Sequence, residues 1–270
     1  LGKEKIGLPI PQLIKSASGN NYELVTDLNN NERMIWVLEK IEGIVLSEAS
    51  PISKNFMLDL GRQVGTLDLT SKKFTKDINP PCNKWNLTKP LWIKNNISEI
   101  QDTELEIIIR KTLDDFLKIS DSLTDLPHYW IHNDLNDQNL LVGVSSDGRT
   151  VLSGILDFGD LSKSPTICNV AICSAYLLIL PAIGLNLQLE FLRGYHSINP
   201  MSEEELEILY TLIMTRLAVS YVNSLMMSKD KPDDPYVIIS QKDSKNSLLN
   251  MAGSKIFFTS RFRNVCELSP

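Results

Sequence analysis

Two stretches of sequence decide the fold, IHNDLNDQNLL at residues 131–141 and GILDFGD at residues 154–160. Between them lie an apolar run, a Ser-Ser-Asp-Gly turn and a second apolar run, a pattern that predicts a β-hairpin. A hairpin brings its two outer ends to the same edge, because antiparallel strands run side by side. The polar residues before the first strand and after the second should therefore lie close together in one site.

Three side chains in these stretches suit phosphoryl transfer: Asp134, Asn139 and Asp157. Phosphoryl transfer spreads negative charge over the moving group, so its catalysis depends on positioning and electrostatics. Asp134 is predicted as the catalytic base, which orients the attacking hydroxyl and accepts its proton. Because Mg²⁺ prefers oxygen ligands, Asn139 and Asp157 are predicted to hold it through an amide oxygen and a carboxylate. An Asp–Asn pair alone is usually turn chemistry, but the order of the two stretches around a hairpin favours a site.

Four neighbouring residues extend the predicted site. His132 is predicted to brace the loop rather than to act as a base. Asn136 and Asp160 are predicted to contact the substrate, although Asp160 is equally suited to be the N-cap of a helix. Gly159 is predicted to allow a tight backbone path beside the metal-binding carboxylate.

The rest of the chain divides into a β-rich piece, residues 1–46, and a mostly helical piece, residues 47–270, which contains the hairpin. This order predicts an α+β protein. Within the first piece, apolar residues at 13–14 and 22–25 flank a turn and predict a hairpin of their own. Residues 39–43 predict a connector between the two pieces.

Apolar residues at helical spacing predict helices at 56–69 and 104–119, and residues 79–97 predict a loop. Residues 169–188 carry no charge and need a separate judgement. A bilayer span requires about 20 predominantly apolar residues, whereas this stretch contains several polar ones. It is therefore expected to form a buried core helix that breaks near Pro181.

The composition, 43% hydrophobic and 22% charged, is ordinary for a globular protein. The net charge of −6 argues against nucleic acid as a partner, because phosphate backbones bind basic surfaces. No apolar signal core begins the chain, and no membrane partner is expected. Scattered cysteines without a C-x-x-C pair argue against a zinc site and favour a reducing compartment, the cytoplasm. The four are Cys82, Cys168, Cys173 and Cys266.

Both deciding stretches resemble the aminoglycoside phosphotransferase/choline kinase-like superfamily, and within it they are most similar to the hydroxylysine kinases. The resemblance covers most of the chain. Five further stretches carry it: Trp85-Asn86-Leu87, Val170-Ala171-Ile172, Phe191-Leu192-Arg193-Gly194-Tyr195, Pro200-Met201-Ser202 and Arg216-Leu217-Ala218-Val219-Ser220.

The resemblance implies a protein-kinase-like two-lobed fold with a partial β-rich N-lobe and a mostly helical C-lobe. It implies Mg²⁺-dependent transfer of the γ-phosphoryl group of GTP or ATP to a small molecule that bears an amine and a hydroxyl, most of all 5-hydroxy-L-lysine. By position it gives the base and metal roles above to the same three residues. It adds Glu39 and Ile41 as nucleotide contacts in the hinge, and Arg216 either as a contact for the substrate carboxylate or as a structural residue.

The chain also departs from the family pattern. The family begins with a phosphate-covering loop and a strand lysine; neither is recognisable here, and Lys15 is a poor substitute. The chain is therefore expected to be either a truncated enzyme or a degenerate relative. Asn169 stands where family members often carry an acidic residue, which is expected to weaken the bracing of the catalytic loop. Asn133 replaces the usual glycine, at little cost because Asn tolerates a positive φ better than most residues.

Two other functions remain open from the sequence. The first is a pseudokinase-like binding or regulatory module, which the unrecognised phosphate clamp favours and the intact set of catalytic residues disfavours. The second is a kinase for choline, an aminoglycoside or homoserine. An aromatic cage for a quaternary amine would favour choline, and Trp85, Trp92 and Trp130 are available for one. The sequence does not reveal the oligomeric state.

Overall fold

The computed structural model describes residues 7–76, 84–230 and 233–267. The predicted start of the loop at 79–81 and Cys82 lie outside the described residues. Strands β1 to β9 span Leu13–Ile14, Glu23–Thr26, Glu32–Ile35, Val37–Leu38, Ile44–Val45, His128–Ile131, Leu140–Val144, Thr150–Ile155 and Ser162–Pro165. Helices α1 to α7 span Lys54–Ser71, Thr103–Asp125, Thr166–Ile179, Leu185–Ile198, Glu203–Asp230, Pro235–Met251 and Lys255–Glu267. Short 3-10 segments span Leu46–Glu48, Pro90–Glu99 and Phe158–Asp160.

The predicted central hairpin is formed by β7 and β8. Leu140 pairs with Ile155 at its open end, and Val144 pairs with Thr150 beside the turn. Strand β5 pairs with the other edge of β7, so the sheet order is β5-β7-β8. The two apolar runs on either side of a Ser-Ser-Asp-Gly turn were sufficient to predict this element.

A second ladder fixes the two deciding stretches from their outer sides. Strand β6 precedes the first stretch and pairs antiparallel with β9, which follows the second, with Ile131 opposite Ser162. The loop 132–139 is therefore held between β6 and β7, and the loop 156–161 between β8 and β9. This double anchoring places both loops at one edge of the hairpin.

Helices α1 and α4 cross at two glycines that allow their backbones to touch. A methyl group on Gly61 would lie 2.0 Å from the carbonyl oxygen of Phe191, and one on Gly194 would lie 2.0 Å from that of Leu58. Close packing here carries the C-terminal half of α1 beneath the catalytic loop. The predicted helices at 56–69 and 104–119 correspond to α1 and α2.

Residues 169–179 of the uncharged stretch form most of α3, which is buried and ends at Ile179 with Leu180 as its C-cap, so the predicted break near Pro181 is present. The last residues of the stretch begin α4. Helix α5 is the one described helix that is long and apolar enough to cross a membrane by length and composition. However, 94% of its most apolar stretch is buried inside the protein. Helix α5 therefore serves as the central core helix, and α2, α3, α6 and α7 pack around it.

The predicted pairing of residues 13–14 with 22–25 is wrong. Strand β1 pairs with β4, and β2 pairs with β3. The turn between β2 and β3 is stabilised by Asp27, whose carboxylate accepts the backbone N–H groups of Asn29 and Asn31 at 2.9 Å and pairs with Arg33. Asn30 adopts the left-handed conformation that this turn requires. An Asp closely followed by three Asn residues is a strong turn signal, and it overrides the Ser-Gly turn upstream.

The connector 39–43 has no regular structure, and it leads directly into β5. Residues 44–45 were placed in the N-terminal piece by the division at residue 46, yet they pair with β7 of the central hairpin. The division into two pieces remains a prediction, and this pairing favours a boundary inside the connector.

Candidate active site

The catalytic loop is held in shape by its own amides. Asn136 accepts the backbone N–H groups of Gln138 (2.9 Å) and Asn139 (3.0 Å) through its side-chain oxygen, and donates to Asp134 Oδ2 at 2.9 Å. Asn139 donates through Nδ2 to the Asp134 carbonyl (2.9 Å) and to Asp134 Oδ2 (3.1 Å). Asn136, predicted to contact the substrate, is instead buried inside the loop with both side-chain groups engaged.

Asp134 is fixed from the opposite side by Arg216 of helix α5. The guanidinium Nη2 donates to Asp134 Oδ1 at 2.7 Å, and the Asp134 side chain is 18% exposed, so it still reaches solvent. The Arg216 side chain is 1% exposed and lies between two rings, with its guanidinium carbon 4.9 Å from the centre of Trp85 and 5.2 Å from that of Tyr176. Burial lowers the pKa of Arg216, but Tyr176 and Asp134 outweigh burial and raise it above its usual value.

This placement gives Arg216 a different immediate partner from the one that the resemblance implies. It also donates to the Trp85 carbonyl and to the Tyr176 hydroxyl, both at 3.2 Å. Among its donors only Nε is buried without a partner in the described part of the chain. Arg216 therefore holds the catalytic carboxylate in the structure described here, whatever contact it makes with a substrate.

His132 joins the catalytic loop to the loop that carries Asp157. Its Nδ1 accepts the Asp134 backbone N–H at 3.3 Å, which leaves Nε2 to donate to the Leu156 carbonyl at 2.8 Å. The ring packs 4.7 Å from the Phe158 ring. Burial lowers the pKa of His132, so the imidazole is neutral and suited to this fixed tautomer. These are the contacts of a brace between loops rather than of a base that faces solvent.

Asn139 and Asp157 offer two oxygen atoms to a cation. Because the Asn139 Nδ2 faces the acceptor-only carbonyl of Asp134, its amide oxygen is turned away and has no protein donor among the described residues. Asp157 has a left-handed backbone (φ 57°), and its Oδ1 accepts the Gly159 N–H at 3.1 Å, which leaves Oδ2 available. A methyl group on Gly159 would lie 3.0 Å from that Oδ1, so close approach rather than positive φ requires glycine here.

The Asn139 carbonyl accepts the Leu156 backbone N–H at 2.8 Å, so the two ligand-bearing segments are neighbours. No group of three or more His, Cys, Asp or Glu side chains gathers anywhere in the described ranges. A site with one carboxylate and one amide oxygen fits Mg²⁺ or Ca²⁺, which take remaining ligands from nucleotide phosphates and water. The donor set therefore fits the predicted metal.

A buried support lies beneath the loop; its Asn133 and Asn169 were singled out from the sequence, whereas its carboxylate, Asp68, was not. Asn133 has a positive φ of 67° and is fully buried; its backbone N–H donates to Asn169 Oδ1 at 3.2 Å. Asn169 Nδ2 in turn donates to Asp68 Oδ1 at 2.7 Å. Burial raises the pKa of Asp68 to about 7. Asp68 could have been found from its position, because it follows Val64 and Leu67 on the apolar face of α1.

The sequence was compared with models of known protein families. The model of the phosphotransferase enzyme family, APH, matches residues 2–206. The chain belongs to this family. The APH match spans both loops, the hairpin and the connector, which are the elements described above.

Individual proteins that resemble the chain are also phosphotransferases by name. Hydroxylysine kinase of Mus musculus is 24% identical over 251 residues, which make up 87% of this chain and 66% of that protein. The chain thus spans just under two thirds of that relative. Among solved structures, amicoumacin kinase hAmiN in complex with AMP-PNP, Ca²⁺ and Ami is similar with a TM-score of 0.63 and 17% identity, over 91% of this chain and 73% of that one.

The GDP complex of wild-type aminoglycoside 2'-phosphotransferase-IIIa is similar with a TM-score of 0.61 and 16% identity, over 90% of this chain and 76% of that one. At such identities the two solved structures establish the fold alone. They confirm the predicted α+β, protein-kinase-like two-lobed fold.

The remaining predicted site residues lie in the 3-10 segment after Asp157 and in the N-terminal part of the chain. Asp160 ends the 3-10 segment and is half-buried, and its charge acts to raise the pKa of both Arg216 and His132. It is not the N-cap of α3, which is Pro165. In the connector, the Glu39 side chain is exposed and Ile41 is half-buried, with its methyl group against Gly154. Lys15 is exposed just after β1.

Proposed function

We propose that this chain carries the catalytic lobe of a small-molecule kinase, which transfers the γ-phosphoryl group of GTP or ATP to a hydroxyl of an amine-bearing metabolite, 5-hydroxy-L-lysine above all. One observation carries the proposal. The Asp134 carboxylate is held between Arg216 and Asn139, while the Asn139 amide oxygen and Asp157 Oδ2 have no protein donor among the described residues. A loop that had only to form a turn would have no need to hold these groups apart.

Asp134 would orient the acceptor hydroxyl and accept its proton as the phosphoryl group departs from the nucleotide. Its rotamer is fixed by Arg216 Nη2 on one oxygen and by two side-chain amides on the other. Such pre-organisation lowers the cost of placing the nucleophile in line. Asn139 and Asp157 would hold Mg²⁺, which when bound neutralises negative charge on the phosphates.

The surroundings of Trp85 favour an acceptor with a carboxylate over choline. A cage of three indoles is not supported, because Trp130 is buried and its indole N–H donates to the Lys76 carbonyl. The Trp85 ring already faces two cations, the Arg216 guanidinium and the Lys84 ammonium, which lies 5.3 Å from the ring centre. Two resident cations would repel a quaternary ammonium and attract an anionic group.

Lys84 is the cation that remains available to such a group. Its ammonium donates to the neutral Asn223 carboxamide at 2.6 Å, and no described carboxylate pairs with it. Asn223 lies seven residues beyond Arg216 on α5, about 10 Å along the helix axis. Hydroxylysine bound with its hydroxyl at Asp134 would extend its carboxylate, four carbon–carbon bonds away, towards Lys84. We therefore favour an amino acid as acceptor.

The same proposal places the protein in the cytoplasm, where nucleotide and Mg²⁺ are abundant. Two described cysteines support this location, because Cys168 and Cys173 are buried free thiols. Free thiols are typical of reducing compartments. The net charge of −6 supports neither nucleic acid nor an anionic membrane surface as a partner.

The test is a phosphoryl-transfer assay on the full-length protein. GTP and ATP are each offered with hydroxylysine, choline, an aminoglycoside and homoserine, and the phosphorylated products are identified by mass spectrometry. We expect transfer to hydroxylysine, with kcat reduced at least roughly 10²-fold in Asp134→Asn. Transfer that survives Asp134→Asn would remove Asp134 from the mechanism. No transfer to any acceptor would leave the regulatory binding module as the better account.

A further inference from the structure

A chain of buried hydrogen bonds leads from the catalytic loop into helix α1. The Asn133 N–H donates to Asn169, and Asn169 donates to Asp68, at 3.2 and 2.7 Å. All three side chains have 0% exposure. The second carboxylate oxygen of Asp68 accepts the Tyr195 hydroxyl at 2.8 Å. Every link is shielded from water, so a broken link would leave a polar group unsatisfied.

We propose that Asp68 is a positioning residue for the catalytic loop and acts on it through Asn169, an inference that rests on the proposed function. An ionised carboxylate, which is the form of Asp68 above its pKa of about 7, only accepts hydrogen bonds, whereas a carboxamide has one accepting and one donating end. Asp68 therefore compels Asn169 to present its NH₂ group to α1 and its oxygen to the loop. Without that compulsion the amide is free to turn, and its NH₂ group would then face the Asn133 N–H.

The consequence reaches the catalytic carboxylate because Asn133 immediately precedes Asp134. Asn133 has a φ of 67°, a conformation that residues with a side chain rarely adopt, apart from Asn, Asp and His. Its side-chain oxygen and nitrogen are buried without partners. The described hydrogen bond that joins Asn133 to α3 is therefore the one from its backbone N–H to Asn169. Loss of that hydrogen bond would allow the backbone at Asn133 to change conformation and would so displace Asp134.

The arrangement also explains why residue 169 can be Asn where an acidic residue was expected. The negative charge is carried by the next residue of the hydrogen-bond chain, Asp68 on α1. The second oxygen of Asp68, which accepts the Tyr195 hydroxyl, is supported by further hydrogen bonds. The Asn199 amide donates to the Tyr195 hydroxyl at 2.8 Å, and the Lys72 ammonium donates to the Asn199 oxygen at 2.7 Å. An acidic residue at 169 would face Asp68 across 2.7 Å, and like charges at that distance cannot both ionise. Asn169 thus supplies the oxygen that accepts the loop N–H, and Asp68 supplies the negative charge behind it.

This division of roles predicts an unusual pattern among three variants. In Asp68→Asn the acceptor loses its charge, and the orientation of Asn169 is no longer fixed. In Asn169→Asp two carboxyl groups oppose each other. In the double variant, which combines both changes, the new carboxylate at position 169 would accept the Asn133 N–H directly. The new amide at position 68 would donate to that carboxylate, while its oxygen accepts the Tyr195 hydroxyl. The two single changes should therefore each damage the loop, and the double change should restore it.

The first readout is amide hydrogen exchange of residues 131–140 by mass spectrometry, which needs no catalytic turnover. We expect exchange to accelerate roughly tenfold in each single variant and to return within roughly threefold of the parent in the double variant. Asp59→Asn, the same change on α1 at a half-buried side chain, serves as the control and should leave exchange unchanged. The second readout is kinetic: kcat should fall roughly tenfold in Asp68→Asn with KM nearly constant, and recover in the double variant.

A double variant no better than the worse single one would overturn the proposal, as would parental loop exchange in Asp68→Asn. If a single variant does not fold, the double variant decides alone: a folded protein with parental loop exchange supports the relay, and an unfolded one refutes it. Absence of phosphoryl transfer in the parent would count against the proposed function only, because the exchange pattern would still report on the relay.

Discussion

At the scale of single residues, the most specific prediction is that Lys84 recognises the carboxylate of the acceptor. The Lys84 ammonium lies over Trp85 and reaches only a neutral amide within the described residues. If it binds the carboxylate of hydroxylysine, Lys84→Gln should raise KM for hydroxylysine about tenfold, the worth of one charge-assisted hydrogen bond. KM for the decarboxylated analogue 1,5-diaminopentan-2-ol should not change, and kcat for both should be close to that of the parent.

Steady-state kinetics with both acceptors provides the measurement, and Lys84→Arg is the matched control because it keeps the charge. An equal rise in KM for the two acceptors would show that Lys84 shapes the site without reading the carboxylate. The comparison uses each acceptor as the reference for the other, so a general loss of folding cannot imitate the expected result.

Asn133 shows what a sequence can and cannot predict about one position. A positive φ at this site was anticipated as tolerable for Asn, and φ is 67°. The buried, unpartnered side-chain amide was not anticipated, because burial depends on α3 and its Asn169 lying against the loop. Local conformation follows from neighbours in the chain, whereas satisfaction of polar atoms depends on neighbours in space.

At the scale of elements, periodicity and turn chemistry predicted the parts that are locally determined. The hairpin β7–β8, helix α1 and the end of α3 before Pro181 follow from such signals. The pairing of β1 did not, because β1 is only two residues long and its partner β4 lies beyond another hairpin. Short strands carry little register information, so their partners are chosen by tertiary context.

The crossing of α1 and α4 leads to a prediction about helix packing. A methyl group at Gly194 would lie 2.0 Å from the Leu58 carbonyl oxygen, and backbone cannot yield as a side chain can. Gly194→Ala should therefore reduce the free energy of unfolding by about 3 kcal/mol, the upper part of the range for overpacking. Denaturant unfolding measures the change.

Gly184→Ala is the control on the same helix, since nothing lies within 4 Å of a methyl group there. It should change the free energy of unfolding by less than about 1 kcal/mol, the difference between Gly and Ala at an N-cap. Equal effects of the two changes would show that the helices separate readily and that the crossing does not depend on backbone contact. Because α1 carries Asp68, a separated crossing should also disturb the catalytic loop.

At the scale of the whole molecule, the sequence predicted the catalytic residues but not the helix side chains that hold the catalytic loop. Asp134, Asn139 and Asp157 lie within two short loops, so spacing and residue type indicated them. Asp68, Tyr195 and Arg216 come from three separate helices, and only the packing of α1, α4 and α5 brings them to the loop. The family resemblance had indicated Arg216, but nothing in the sequence connects Asp68 and Tyr195 with the loop.

The buried Asp68 carboxyl makes the stability of the whole fold depend on pH. Its pKa rises from 3.8 to about 7 on folding, chiefly through burial, so the folded state favours the protonated form. Its contribution to stability is therefore fully present below pH 3.8 and is lost as pH rises through about 7. The full change amounts to about 4 kcal/mol. His132 acts in the opposite sense, because its lowered pKa costs stability as pH falls below its usual value.

Comparison with Asp68→Asn separates the two groups, since both proteins keep His132. The difference in melting temperature between parent and variant should shift in favour of the parent as pH is lowered from about 8 to about 5, and the variant should keep the pH dependence that His132 and His196 give to both proteins. Thermal melts at intervals across this range provide the measurement. A difference that stays constant with pH would mean that Asp68 is ionised throughout, held so by Tyr195 and Asn169 at 2.8 and 2.7 Å. The relay to the catalytic loop would then rest on a permanent charge, and the protection of the loop amides, relative to their intrinsic exchange rates at each pH, would be equally independent of pH.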